Sequence, residues 1–450
     1  MRQVQIQLYN LRRVEVFFVF LVANVLFAIF WFSDQYGRLD SLHLHIFSGN
    51  GSQIGMATTG QTLTAREKKN ILIWNGAHIE DTAPFGFGHQ PFVQNACEVS
   101  DCVVFANRSS LPFEKYDAIL IHLHELSKTY MPNFPRQKHQ RFVFLTQESP
   151  NSMDTVDVTT MGHLFNWTMS YKLNSDIQFL YGRINPGPTA PKTLEEAEKM
   201  IETTYFPSAK NYATNKTKQV VWMVSHCPTP SLRETYVNQL RKFIPVDIYG
   251  SCGNLTCPHS KLSDFLSDPE CYRMLWFTGE QTIASLHLFI RISTRLITQL
   301  SDFLSDPECY RMLEKKYKFY LSFENSICTD YVTEKFFEIM RHDLIPVVYG
   351  GANYSQFAPI HSYINALDYT PKELADYLKT LDANDTLYNE YFWWKGHYQV
   401  EAGIENRARH GFCDLCKKLH QDQDVIKIYP ELVSEWHPST QCKRMTPWKS

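Results

Sequence analysis

Glu148 stands just past the apolar run Phe142–Leu145 in FVFLTQESP. A carboxylate at the end of a buried strand, turned toward a gap, can take a proton from a hydroxyl. Further along, YKFYLSFENSICTDYVTEKFFE (Tyr317–Glu338) runs from an apolar strand into Glu324 and Asn325, then into Tyr331, Thr333, Glu334 and Lys335 at the start of an amphipathic helix. Helix N-termini attract anions, so Lys335 in a first turn can neutralise a diphosphate while Glu334 accepts from sugar hydroxyls. Arg233, opening the helix after VVWMVS, can meet the same phosphate from across the site. A base on one side and cations on the other suit transfer of a group from a diphosphate to a hydroxyl. Each part also has an ordinary reading: a strand-end Glu, a capping Thr beside a solvated ion pair, a surface Arg.

Other motifs are weaker. No G-x-G-x-x-G and no P-loop occurs, so those phosphate cradles are missing. His410, Cys413, Cys416 and His420 are metal-ligand types at suggestive intervals, but two disulfide cysteines with unrelated histidines is the preferred reading, and no metal is assigned. Asp422-Gln423-Asp424 has the D-x-D form of some metal–nucleotide sites and is read as a solvated charge run.

These residues need strands to hold them. Ile71–Trp74, Ala118–Leu123 and Phe142–Leu145 are short apolar runs between polar segments, and Val220–Val224, Val246–Tyr249, Phe319–Phe323 and Leu344–Tyr349 form a second series. Helices are expected over Ser231–Phe243, Tyr331–Arg341 and Pro371–Leu381. Alternating strands and helices predict an α/β chain with two Rossmann-like domains facing a cleft, divided as 71–210 and 211–450, with ligands beyond the strand C-termini. The composition, 44% hydrophobic with 14% aromatic residues, is globular, and a net charge of −3 gives no reason to propose nucleic-acid binding.

Val16–Phe32 is apolar except for Asn24 and follows Arg2, Arg12 and Arg13. It reads as an uncleaved membrane anchor behind a cytoplasmic tail (1–15) and ahead of a polar stem (33–70), with the remainder lumenal. Sequons at Asn50, Asn107, Asn166, Asn215, Asn254, Asn353 and Asn384 fit that placement, as do eleven cysteines read as a disulfide framework. The odd count has a candidate source: LSDFLSDPECYRML occurs at Leu262–Leu275 and again at Leu300–Leu313. The second copy runs directly into EKKYKFYLSFEN, which favours an error or a non-functional duplication over a working insertion.

FYLSFENSICTDYVTEKFFE followed by LIPVVYGGANYSQFAP closely resembles the signature of the α1,3-fucosyltransferases, and the resemblance extends to FLTQESP, FNWTMSY, VVWMVSHC, VDIYGSCG and FCDLC. It implies a GT-B fold, an N-terminal acceptor domain, a C-terminal donor domain, GDP-fucose as donor, inversion at the fucose carbon without an essential metal, and Golgi type II placement. On the matching positions Glu148 is the general base, Arg233 and Lys335 hold the diphosphate, and Asn325, Tyr331 and Glu334 line the donor pocket, with Glu324 in the same motif. The acceptor expected is N-acetylglucosamine of glycoprotein N-glycans. VSHC with His226 is more similar to enzymes acting on the innermost residue than to Lewis-type enzymes acting on antennae. A catalytically silent, membrane-anchored glycan- or nucleotide-binding homologue is the reading from another class.

Overall fold

Strands buried on both faces build two parallel sheets. The computed structural model describes residues 67–76, 83–123, 131–132, 134–152, 157–203, 210–257, 307–422 and 426–448. The expected anchor, the stem up to residue 66, Asn50, the first repeat copy and the stretch between copies lie outside them. Among the described residues no helix is long and apolar enough to cross a membrane.

The first sheet holds β1 (Lys69–Ile73), β2 (Cys102–Phe105), β3 (Ala118–His122), β4 (Arg141–Thr146), β5 (Trp167–Ser170) and β6 (Ile177–Gln178) in the order β2-β1-β3-β4-β5-β6, all pairs parallel. After β7 (Gly182–Pro186), the second holds β8 (Lys218–Met223), β9 (Val246–Tyr249), β10 (Tyr317–Phe323), β11 (Ile345–Tyr349) and β12 (Ile364–Asn365), ordered β12-β11-β10-β8-β9 and again parallel. In each sheet the order reverses beside the first strand, and such a switch point opens a crevice beyond the strand C-termini. The crevices lie at β1/β3 and at β8/β10.

Period-two alternation feeds two cores per sheet. Ile119, Ile121, Phe142 and Phe144 enter one and Ala118, Leu120, Val143 and Leu145 the other, which is why these strands read as unbroken apolar runs. Each buried Ile, Leu, Val or Phe among them contributes roughly 1.5–3 kcal/mol by leaving water. In the second sheet Val220, Trp222, Phe319 and Leu321 face one core, while Val221 and Tyr320 face the other.

Two features cross the sequence division at 210/211. The ribbon β7–β13 (Tyr398–Ala402) is antiparallel and pairs one segment from each side of it. The helix Ile404–Gln421 packs Ala408, Phe412 and Leu415 into the first sheet's core, stacks Phe412 on Phe85 at 4.7 Å and is bonded there through Cys97–Cys413 and Cys102–Cys416. A helix assigned by chain order to the second stretch therefore completes the first. The other disulfides are Cys227–Cys252, Cys257–Cys309 and Cys328–Cys442. Cys413 and Cys416 are thus disulfide cysteines, and the neighbouring histidines have their own partners: His420 Nε2 lies 2.9 Å from the Asp101 carbonyl, and His410 pairs with Glu401.

Candidate active site

The C-terminal ends of β8 and β10 are stitched together. Ser231 donates its N–H to the Asn325 carbonyl at 2.9 Å and its hydroxyl to the Glu324 carbonyl at 2.8 Å. Leu232 takes a left-handed conformation (φ 52°), so the helix begins at Arg233 and runs to Leu240, shorter than the expected span. Arg233 is buried rather than exposed: Nη1 donates to the Phe323 carbonyl and Nη2 to the His226 carbonyl at 3.1 Å, while Nε has no protein partner. Burial lowers its pKa, and Glu324 opposes that shift.

The helix expected from Tyr331 starts at Glu334 and ends at Met340. Thr333 is its extended N-cap (φ −108°, ψ −171°) and accepts from the Lys335 N–H, as capping threonines do. Lys335 Nζ reaches the Thr333 hydroxyl at 3.1 Å, Glu334 Oε1 at 2.7 Å and Glu324 Oε2 at 3.9 Å. Burial works against the ammonium, but Glu334 and Glu324 outweigh it and hold its pKa above the ordinary lysine value. Glu334 itself is exposed.

Glu324 departs from the expected donor contact. It is wholly buried; Oε1 accepts from the Thr333 N–H at 2.8 Å, and Oε2 accepts from the Thr333 hydroxyl at 2.9 Å. It has no exposed surface, and its oxygens are engaged by the Thr333 cap. Burial pushes its pKa up to about 7 against the pull of Lys335. Asn325 keeps a buried Oδ1 without a partner, as does the Tyr354 hydroxyl behind it. Buried polar atoms are nearly always satisfied. Orphans on Arg233, Asn325 and Tyr354 near these strand ends leave polar atoms that a ligand can meet, as do others elsewhere, such as His361 Nε2. The turn after β11 fits closely because a Cβ on Gly350 would strike the Tyr354 hydroxyl, and one on Gly351 would lie 2.6 Å from the Cys328 backbone.

The half-buried Glu148 follows β4, between fixed neighbours. Gln147 is held by the Phe179 carbonyl and by the Tyr181 hydroxyl, which donates to its carbonyl at 2.8 Å; the Ser149 hydroxyl donates to Ser326 at 2.9 Å. Tyr331 donates its hydroxyl to Glu148 Oε2 at 3.4 Å, joining the carboxylate of the first sheet to the loop of the second. Burial keeps that phenol protonated, well above the ordinary tyrosine pKa. The same loop meets the first half again, where Asp330 Oδ2 accepts from the Leu173 N–H at 3.1 Å. Glu148, Tyr331, Glu334, Lys335, Asn325 and Arg233 are thus brought to one region.

Sequence reasoning missed Ser231, Ser326, Asp330 and Arg407. Arg407, from the returning helix, lies 4.7 Å over the Tyr181 ring and donates to Gln147 Oε1 at 3.4 Å; its distance along the chain left no local signal. Of the sequons, Asn107, Asn215, Asn254, Asn353 and Asn384 are exposed. Asn166 is the correction: it is buried, with Oδ1 accepting from the Phe142 N–H at 2.9 Å and Nδ2 donating to the Lys427 carbonyl at 2.8 Å, so the folded chain offers no room for a glycan.

A carboxylate set beside Arg233 and Lys335 at the ends of doubly wound sheets has the parts that group transfer from an anionic donor needs. Comparison with known proteins gives the family. Residues 66–182 match "Fucosyltransferase, N-terminal", and residues 213–277 and 279–436 match "Glycosyltransferase family 10 (fucosyltransferase) C-term". The chain belongs to glycosyltransferase family 10, the fucosyltransferases. Among its relatives, alpha-(1,3)-fucosyltransferase C of Drosophila melanogaster is 33% identical over 353 residues, covering 76% of this chain and 71% of that one. Glycoprotein 3-alpha-L-fucosyltransferase A of the same species is 31% identical over 383 residues, covering 83% and 61%. A crystal structure of an alpha1,3-fucosyltransferase with GDP-fucose aligns with a TM-score of 0.43 at 14% identity, covering 84% of this chain and 95% of that one.

Proposed function

We propose that the protein transfers L-fucose from GDP-fucose, with inversion, to the 3-hydroxyl of N-acetylglucosamine on glycoprotein N-glycans, the innermost core residue being the preferred acceptor. The observation that carries this reading is the Tyr331–Glu148 contact, which brings a potential base to the loop bearing Lys335. Glu148 removes the acceptor proton, the freed oxygen attacks the fucose carbon from the face opposite the diphosphate, and Arg233 and Lys335 balance the charge growing on the leaving GDP. Asn325 Oδ1, which has no protein partner, and the exposed Glu334 receive donor hydroxyls in this reading. In this reading the two sheets are the acceptor and donor halves of a GT-B enzyme, with the division of the chain near residue 210.

Membership of the family supports fucosyl transfer, and the name of the second fly relative supports a glycoprotein acceptor. Five disulfides support residence in an oxidising compartment, consistent with a Golgi type II enzyme anchored through residues 16–32. The test is transfer from labelled GDP-fucose to an N-glycopeptide carrying only the core, beside one carrying antennae. Core labelling is expected, and labelling confined to antennae overturns the acceptor assignment. Glu148→Gln is expected to lower turnover by ~10²–10⁴-fold, the usual weight of a general base, with GDP-fucose binding and thermal midpoint unchanged. Near-normal turnover in that variant removes Glu148 from the role.

A further inference from the structure

Glu324 lies beside both cations of the site without reaching its surface. Its side chain holds the Thr333 cap from which Lys335 projects, its carbonyl holds Ser231, and the carbonyl before it holds Arg233. A carboxylate this deep is costly unless it is fully paired. Here the pairing is partial, because Lys335 Nζ stands 3.9 Å from Oε2 but 2.7 Å from Glu334.

The charged and titratable groups around it come from every packed element. They are Arg233 after β8, Tyr320 on β10, Tyr331 in the following loop, Glu334 and Lys335 on the next helix, Tyr354 after β11, and Tyr171 and Glu148 from the first half. Burial holds the four tyrosines above their ordinary range, so they stay neutral near pH 7, and Lys335 stays charged. Glu324 is poised between its two forms, with a pKa raised by burial to about 7.

We propose that Glu324 is a positioning residue that takes up a proton when the anionic donor binds, so that diphosphate capture and protonation of this carboxyl are one event. The inference rests on the reading that Arg233 and Lys335 hold the donor diphosphate. An arriving diphosphate adds negative charge beside Glu324 and draws Lys335 away from it, and both effects raise the cost of the carboxylate. The proton comes from solvent and forms an O–H bond at Oε2; the Thr333 hydroxyl, which donates to Oε2 in the ionised form, turns to accept from it with the lone pair that Lys335 Nζ gives up, while Oε1 keeps the Thr333 N–H. Donor affinity is then flat below about pH 7, where the free protein is already protonated. It falls as pH rises above that value, by up to about tenfold per unit.

The test is calorimetric titration of the detergent-solubilised full chain with GDP-fucose, acceptor absent, at pH 7.5 in buffers of small and large ionisation enthalpy. GDP-fucose carries a diphosphate diester with no ionisation near neutrality, so net proton exchange reports the protein. Uptake of roughly half a proton or more per donor is expected, and it should persist in Glu148→Gln. In Glu324→Gln the uptake should vanish and the pH dependence of affinity flatten; weaker binding with the uptake intact would mean a purely structural role. Donor binding with heats independent of buffer in the unaltered protein overturns the inference and leaves the donor reading standing. No binding in any buffer overturns both.

Discussion

Asn166 shows how a residue's type can mislead until its neighbours are known. As a sequon it asks for an exposed turn, yet its amide spans β4 and the C-terminal segment, accepting from the Phe142 N–H and Arg136 and donating to Lys427. Asn166→Ala strands a buried donor on β4, at a cost of about 1–3 kcal/mol. A lowered thermal midpoint is expected, and glycopeptide mapping should find residue 166 bare; a glycan there would contradict the buried placement. Glu324 carries the same lesson. Its letter and motif suggested a contact with the donor, whereas only the fold could show that Thr333 consumes both oxygens. The sequence placed Glu148 and Asn325 at strand ends, where α/β folds put ligands, and Glu334 and Lys335 at a helix start, whereas the pocket roles of Asn325, Tyr331 and Glu334 rested on the family resemblance.

At the scale of elements, helix Pro307–Lys316 and helix Glu334–Met340 are clasped by His342. Its Nδ1 lies 3.0 Å from Glu314, its Nε2 lies 3.6 Å from Glu338, and Tyr310 stacks on the ring at 5.4 Å. Burial lowers the imidazole pKa, but the two carboxylates outweigh it and the net shift is upward. The folded protein therefore binds this proton more tightly than the unfolded chain. The clasp contributes fully below the unfolded value of about 6.5 and is lost as pH rises through the higher folded value. Glu324, raised by burial, adds a decline with the same sign between its unfolded value and about 7. The histidine's share is isolated by His342→Gln. Denaturation midpoints of this variant should approach those of the parent as pH rises from 6 to 9; a constant gap would mean that charge plays no part. Strands were legible where burial on both faces leaves unbroken apolar runs, as in β3 and β4. The β7–β13 ribbon was not, since its residues are mostly half-exposed and its partners are far apart in the chain. Helix starts were misplaced by two or three residues for local reasons: the left-handed Leu232 and the extended cap at Thr333.

For the whole molecule, covalent links decide which repeat copy the fold uses. Cys309, in the second copy, is bonded to Cys257 and buried with Tyr310 and Leu313 beneath β10, and its helix Pro307–Lys316 abuts that strand without a break. All ten cysteines of the described residues are paired, leaving Cys271 of the first copy as the eleventh, outside those residues. Deleting residues 262–299 removes one copy and the stretch between, rejoining Lys261 to Leu300 with every bonded cysteine kept. Closing the Cys257–Cys309 loop then spans far fewer residues, and loop-closure entropy grows with length, so the shorter chain loses less freedom on folding. The disulfide itself would hold less advantage over its reduced form in the shorter loop, by an amount logarithmic in length. The deletion is therefore expected to fold with the same five disulfides and to transfer fucose at least as well as the parent. Cys271→Ser should be neutral, and Cys309→Ser should lower the yield of folded protein. Non-reducing peptide maps that join Cys257 to Cys271 instead, or a deletion that loses transfer while remaining folded, would show that the extra segment takes part in the working enzyme.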